Sequence, residues 1–158
     1  MAYTTIDDPT QYFNTVLWTG NGGTQSITGV GFQPDWIWGK NRDDTNSHWF
    51  NDVVRGVDVR LIPHATGAED NPGTDIVTSF DSDGFSLGSN TEGNKNTDKY
   101  VAWNWLAGGS ASSNSDGDIT SNVSANTTAG FSIVSYTGNG SNSTIGHGLG
   151  AVPKWIIV

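Results

Sequence analysis

The sequence predicts an all-β fold, and three observations lead to that prediction. Short runs of aromatic and β-branched residues alternate with turn residues, and glycine is abundant, with 21 among 158 residues. No segment of ten or more residues places apolar side chains at helical spacing. The predicted strands recur about every 8–12 residues, which is typical of sandwiches and jelly rolls. We therefore expect an antiparallel β-sandwich or jelly-roll-like module with long loops.

The individual strands follow from alternating apolar residues bounded by turn signals. An Asn-Gly-Gly turn separates the first two strands, and the run Asp81-Ser82-Asp83-Gly84 predicts a hairpin turn. The stretch 53–61 favours a strand, although its start is also compatible with a helical turn. The predicted strands are, in order, 12–19, 24–27, 35–40, 47–52, 53–61, 76–80, 84–87 and 99–106.

The clearest strand, 99–106, alternates between two chemically different faces. Tyr100, Ala102 and Asn104 face one way, and Trp103 and Trp105 face the other. Because large aromatic side chains bury the most area, the tryptophan face is predicted to lie in the core. The same reasoning assigns three further strand tryptophans to the core: Trp36, Trp38 and Trp155.

A long internal repeat organises the chain. Residues 18–40 (WTGNGGTQSITGVGFQPDWIWGK) recur in altered form as residues 136–158 (YTGNGSNSTIGHGLGAVPKWIIV), with one residue inserted near His147. The match extends upstream, where Phe13 and Val16 correspond to Phe131 and Val134. Other matched pairs are Trp18 with Tyr136, Ile27 with Ile145, Trp36 with Trp155, and Ile37 with Ile156.

The repeat also divides the chain. Residues 1–11 are polar and acidic and are expected to form an N-terminal arm, followed by a β module at 12–108. Residues 109–117 are rich in glycine and serine and are predicted to be a linker. Residues 118–158 are then the start of a second repeat, or strands that complete a sheet of the first module or of a neighbouring subunit. We expect the natural chain to continue beyond Val158, because its last strand lacks partners.

Composition excludes several kinds of function. The net charge is −9 with only seven Lys and Arg, which argues against partners that are nucleic acids or anionic membranes. Cysteine is absent, which excludes disulfides and thiolate chemistry. The acidic turns Asp81–Gly84 and 116–118 supply too few oxygen ligands for calcium. We predict no cofactor, no metal and no catalytic residues, and therefore no enzyme.

Two tryptophans are candidates for sugar stacking. Aromatic rings beside Asn, Asp and Ser side chains can stack on the apolar face of a sugar while the polar groups bind hydroxyls. Trp18 and Trp49 are less firmly assigned to the core by the strand pattern than the other tryptophans. They are therefore the residues that a carbohydrate-binding function would use.

Several motifs, taken together, resemble a known group of proteins. They are TGNG, GFQPDWIWGKNR, SFDSDGF, YVAWNWLAGG and the C-terminal GFSIVSYTGNG with GHGLGAVPKWIIV. Their order and spacing over nearly the whole chain are similar to those of tail-fibre-like virion repeat proteins of marine tailed bacteriophages. Gly39 departs from the family pattern, which has an apolar residue there, and Leu106 stands where the family has lysine.

The resemblance implies a virion component with a structural role. We expect a non-enzymatic protein of a tail fibre or other appendage, located in the phage particle and assembled as a homo-oligomer, by analogy a trimer, with other virion proteins as partners. The arm residues Asp7, Asp8, Pro9 and Tyr12 are the candidate anchor to the particle. The alternative is a lectin-like module that binds host surface glycan. A polysaccharide depolymerase is a third reading, but the sequence lacks a visible pair of facing acids.

Overall fold

A computed structural model describes residues 6–71 and 76–158, and their fold is almost entirely β, which confirms the predicted class. A 3-10 helix (Pro9–Gln11) precedes the first strand, and one turn of α-helix, α1 (Thr91–Asn94), precedes β8. The strands are β1 (Phe13–Thr19), β2 (Gln25–Thr28), β3 (Trp36–Asn41), β4 (Trp49–Asp52), β5 (Gly56–Leu61), β6 (Val77–Asp81), β7 (Gly84–Leu87), β8 (Lys99–Trp105), β9 (Ser112–Asn114), β10 (Ser121–Asn126) and β11 (Phe131–Ser135).

These strands form three antiparallel sheets. The largest has the order β1-β8-β3-β4-β5, and it is joined by a sheet of order β2-β7-β6 and another of order β11-β10-β9. The strand β8 lies between β1 and β3, so that Trp105 pairs with both Phe13 and Trp36. The predicted hairpin at Asp81–Gly84 is present between β6 and β7. The first repeat copy therefore has its two ends, β1 and β3, on opposite sides of one strand.

The main core lies between the five-stranded sheet and the β2-β7-β6 sheet, in a sandwich-like arrangement. Trp18 stacks on Tyr100 with ring centroids 5.2 Å apart and meets Phe85 edge-on at 5.7 Å. Such aromatic pairs add specific contacts to the area that each ring buries. The fully buried core residues include Val30, Ile37, Trp49, Val77, Phe85, Leu87, Tyr100 and Ala102.

The tryptophans of β3 and β8 lie on the opposite face of the five-stranded sheet, which we call the aromatic face. Trp36 and Trp105 lie 4.6 Å apart between ring centroids, and Trp38 and Trp103 lie 5.5 Å apart. Trp36 is buried, whereas Trp38, Trp103 and Trp105 are half-buried. The tryptophan face of β8 therefore belongs to a second core cluster, in which Trp36 is buried and Trp105 packs against it, whereas Tyr100 and Ala102 lie in the main core. The aromatic face forms a second cluster, partly covered by the β11-β10-β9 sheet.

The predicted linker is not a free segment. Residues 112–114 form β9, which pairs with β10, so β10 is the central strand of its sheet. The buried carboxylate of Asp35 accepts hydrogen bonds from the backbone N–H groups of Ala107 (2.8 Å) and Gly109 (3.0 Å). Ser124 joins the same junction, because its Oγ accepts from the Gly108 N–H at 3.0 Å. A composition rich in glycine and serine here serves close backbone packing, since a Cβ at Gly108 would overlap with the backbone of Ala125.

Residues 136–158 contain no strand, unlike the matching residues 18–40. Their main tie to the rest of the fold is an isolated parallel bridge between Ile119 and Ile145. Asp118 reinforces that tie, because its carboxylate accepts from the Thr144 N–H at 2.9 Å and from the Thr144 hydroxyl at 2.8 Å. The pKa of Asp118 is lowered by these bonds, first of all by the backbone bond.

Candidate functional site

The glycine-rich TGNG turn of the first copy is held by the loop that leads into β8. The Gly20 N–H donates to the Asp98 carbonyl at 2.8 Å, and the Thr97 N–H donates to the Gly20 carbonyl at 2.9 Å. The Gly22 N–H donates to the Asn94 carbonyl, also at 2.8 Å. A Cβ at Gly20 would overlap with the carbonyl oxygen of Lys95, so only glycine allows this approach.

Asn94 is the centre of this arrangement and is completely buried. The single turn α1 presents it, and that turn is capped by Asn90, whose side chain accepts from the Glu92 N–H at 2.9 Å. The Asn94 amide donates to the carbonyl of Gly88 at 3.0 Å and to the side chain of Asn21 at 3.1 Å. Its side-chain oxygen Oδ1 accepts from the Asn21 N–H at 3.0 Å. The turn thus uses its polar groups for internal bonds, which makes it an architectural element.

The same turn in the second copy, residues 137–140, is exposed. Asn139, which matches Asn21, bonds only locally: its amide donates to the Ser143 Oγ at 2.9 Å, and its side-chain oxygen accepts from the Ser141 N–H at 3.0 Å. The described residues 6–71 and 76–158 supply no counterpart of Asn94 beside it. The second turn therefore shares the sequence of the first turn but lacks a buried asparagine that holds it.

The apolar residues of the second copy are uncovered in the same way. Trp18 is 8% exposed, and its counterpart Tyr136 is 47% exposed. Trp36 is 9% exposed, and its counterpart Trp155 is 72% exposed. Ile37 is fully buried at 0%, and Ile156 is 68% exposed. The expectation that Trp155 belongs to a core is wrong in this chain. We call Tyr136, the turn 137–140, Trp155 and Ile156 the open repeat surface.

The two tryptophans predicted to stack on sugars are both buried, so that prediction is wrong. Trp49 is completely enclosed in the main core, where its ring lies directly over Gly39 and leaves no room for a Cβ there. Trp18 is covered by Tyr100 and Phe85, and its Nε1–H donates to the Gly93 carbonyl at 3.3 Å. Neither ring has a free face for a ligand. The strand pattern missed this because short strands such as β4 give too few positions to fix a face.

The predicted anchor residues lie together at the start of the described chain. Asp7, Asp8 and Pro9 are exposed, and Tyr12 is half-buried. Asp8 caps the 3-10 helix, because its carboxylate accepts from the Thr10 N–H at 3.0 Å and from the Thr10 hydroxyl at 2.6 Å. The Tyr12 carbonyl accepts from the Leu106 N–H at 2.8 Å, which ties this end to β8. Residues 1–5 of the predicted arm lie outside the described residues.

The uncovered part of the aromatic face is a second candidate site. Trp38 packs between Phe50 and Trp103, with ring centroids 5.1 and 5.5 Å away. Its Nε1–H donates to Nδ1 of His48 at 2.8 Å, which requires that nitrogen to be unprotonated. The pKa of His48 is lowered, first by burial and then by the nearby charges of Lys40 and His64. This face therefore combines partly exposed indole rings with a neutral imidazole.

The acidic turns have structural roles. The Asp83 carboxylate accepts from the Gly31 N–H at 2.6 Å and from the Gly29 N–H at 3.1 Å, and thereby holds the glycine corner before β3. Asp81 accepts hydrogen bonds from the hydroxyls of Ser79 and Ser86, each at 2.7 Å. Among residues 6–71 and 76–158, no three His, Cys, Asp or Glu side chains converge as a metal site would require. In the same part of the chain, no helix has the length and hydropathy to cross a membrane.

One family model matches almost the entire chain. Its description is a domain of unknown function, DUF7483, and the match covers residues 8–158. The chain belongs to the DUF7483 family. No curated protein and no solved structure matches the chain. The DUF7483 match begins at Asp8 and so includes both repeat copies, the covered one and the open one.

Proposed function

We propose that this DUF7483 chain is a non-enzymatic structural protein of a tailed-phage particle, in a tail fibre or another appendage. Its modules would work by their rigidity and by their contacts with further modules. The observation that carries the proposal is the open repeat surface, where apolar residues that belong to a core in the first copy face solvent in the second. Four of these exposed apolar residues are consecutive in sequence, from Trp155 and Ile156 to Ile157 and Val158, apart from Tyr136. Large exposed apolar patches on a protein mark interaction sites.

Two further features support a structural role. The motifs resemble those of virion repeat proteins of marine tailed phages. The polar side chains of the turns also form internal hydrogen bonds, as at Asn94, Asp83 and Asp81, which suits a scaffold better than a reactive site. Assembly as a homo-oligomer, by analogy a trimer, remains part of this proposal, and the exposed residues Asp7, Asp8 and Pro9 with Tyr12 are its candidate anchor.

Cryo-electron microscopy of the intact particle tests the proposal. We expect density for this fold in an appendage, repeated with the symmetry of that appendage. Mass spectrometry of purified particles provides an independent check of composition. If the chain is missing from purified particles that come from cells producing it, the structural proposal is wrong.

The aromatic face favours a second candidate function, the binding of host surface glycan. The indole rings of Trp38 and Trp103 are partly exposed side by side, beside the polar side chains of His48 and Lys40. Sugar rings stack on such indoles while polar neighbours bind their hydroxyls. A glycan array tests this function: Trp103→Ala is expected to abolish a signal that Trp155→Ala, at the separate open repeat surface, leaves unchanged. An array without any signal would contradict it.

A further inference from the structure

One contiguous segment covers both ends of the first repeat copy. Residues 94–98 hold the TGNG turn, and Tyr100 stacks on Trp18. Further along the same strand, Trp105 pairs with Trp36, and Asn104 pairs with Ile37. Residues 94–105 therefore contact all the first-copy counterparts of the open repeat surface. These counterparts are Trp18, the turn 19–22, Trp36 and Ile37. The molecule itself shows what kind of segment buries these side chains.

The second copy has the same side chains beside an unfilled position. The strand β11 matches β1 in sequence, and it is the end strand of the sheet β11-β10-β9. One edge of β11 is paired with β10, and its other edge has no strand partner among the described residues. In the first copy, β8 occupies the corresponding place beside β1. Tyr136 and the turn 137–140 of the open repeat surface directly follow this strand, whose free edge can accept another strand.

We infer that the open repeat surface and the free edge of β11 form a docking site for an extended segment of the 91–105 type from a further repeat of the same family. Such a segment adds a strand to the sheet through backbone hydrogen bonds and is selected by its side chains. The inference deepens the structural role proposed above and rests on it. The partner is a repeat segment in which an asparagine, like Asn94, precedes a strand that begins near a tyrosine, like Tyr100.

The register of the docked strand follows from the first copy. The tyrosine that corresponds to Tyr100 lies opposite Tyr136, as Tyr100 lies opposite Trp18. The alanine that corresponds to Ala102 lies opposite Val134, since Ala102 pairs with Val16. The preceding asparagine then reaches the turn 137–140 and bonds Asn139, as Asn94 bonds Asn21. Trp155 and Ile156 close over the far side of the added strand and form a strand of their own.

A peptide with this chain's own sequence 91–106, TEGNKNTDKYVAWNWL, is the direct probe. It is titrated into the full 158-residue protein, and binding is followed by calorimetry and by hydrogen exchange read by mass spectrometry. We expect saturable binding and new protection of backbone amides at 131–137 and 152–157. The exchange of the first copy, at 13–19 and 36–41, is expected to stay unchanged, because β8 already fills that position.

A matched pair of variants locates the site. Ile156→Ser removes an apolar side chain from the open repeat surface and is expected to weaken peptide binding about tenfold or more. Leu17→Ser removes a similarly exposed side chain (64% against 68%) from β1 and is expected to leave binding unchanged. A peptide with Asn94 and Tyr100 both replaced by Ser is expected to bind at least tenfold more weakly than the parent peptide.

Several results would overturn the inference. They are failure of the peptide to bind, protection at β1 or β5 in place of β11, and equal binding by the Ile156→Ser protein. Self-association of the protein through Trp155 that the peptide does not compete for would identify a second copy as the occupant and would also overturn it. The particle experiments test the proposed function separately: peptide binding by a chain that is missing from the particle would refute that function alone.

Discussion

The contact between Gly39 and Trp49 offers a sharp test of how the main core is built. Gly39 pairs with Trp49 across β3 and β4 and with Ala102 on β8, so its backbone is fixed on both sides. A Cβ at Gly39 would overlap with the rigid indole of Trp49, which is completely buried and cannot rotate away. Inserting one methyl group into a packed core costs about 1–3 kcal/mol.

We expect Gly39→Ala to lie at the upper end of that range, with about 3 kcal/mol lost from the free energy of unfolding. For a chain of this size, that loss lowers the melting temperature by about 6–12 °C. Urea unfolding followed by tryptophan fluorescence and circular dichroism measures the change. Gly138→Ala is the matched control, because a Cβ at Gly138 meets no atom within 4 Å. Its expected effect is within about 0.5 kcal/mol.

A double-mutant cycle identifies the cause of the loss. Trp49→Ala alone is expected to cost about 3–5 kcal/mol through the cavity that it leaves. In that background, Gly39→Ala adds almost nothing, because the overlapping ring is gone, and the two changes are strongly non-additive. Additive effects would refute the steric explanation. A Gly39→Ala protein as stable as the parent would refute the described packing of Trp49.

Three further changes test other parts of the structure. Asn94→Ala removes the buried amide that holds the first TGNG turn and is expected to lower the free energy of unfolding by about 2–3 kcal/mol. It is also expected to accelerate backbone amide exchange at 20–23. Unchanged exchange would contradict the role of Asn94. Asp35→Ala leaves the Ala107 and Gly109 N–H groups unpaired and is expected to lower the free energy of unfolding by about 1–3 kcal/mol. It is also expected to raise the rate of proteolysis at 107–112. An unchanged rate of cleavage there would contradict the role of Asp35. The pKa of His48 is lower in the folded chain than its unfolded value of 6.5, so its contribution to stability is complete above pH 6.5 and is lost as the pH falls toward the folded pKa. The free energy of unfolding, measured as the pH falls below 6.5, is expected to decrease in the parent protein more than in His48→Gln. Identical pH profiles of the two proteins would contradict this role of His48.

Much of the first module could be predicted from alternation and turn residues alone. The strand that carries Tyr100 and Trp103 is bounded almost as predicted, and the Asp81–Gly84 hairpin follows from its turn sequence. These features are local, because adjacent residues determine which side chains share a face of a strand and which positions of a turn can adopt positive φ. The internal repeat was also visible, since it needs only a comparison of the chain with itself.

Which face of a strand is buried deepest was not visible in the sequence. Trp103 and Tyr100 lie on opposite faces of β8, and both faces are rich in large side chains. The choice depends on which sheet packs against which face, and that is a property of strands distant in the sequence. The same limit applies to Trp49, whose burial depends on Gly39 ten residues away and on the sheet that closes over both.

The sequence by itself therefore determined the all-β class, most strand positions of the first module and the repetition of its opening segment. Only the tertiary structure decided that the two copies differ in environment. Trp36 and Trp155 have matching local sequences, yet one is buried and the other exposed, because only the first copy has the segment 91–105 beside it. Local sequence specifies strands and turns, whereas burial is decided by the partner that covers them.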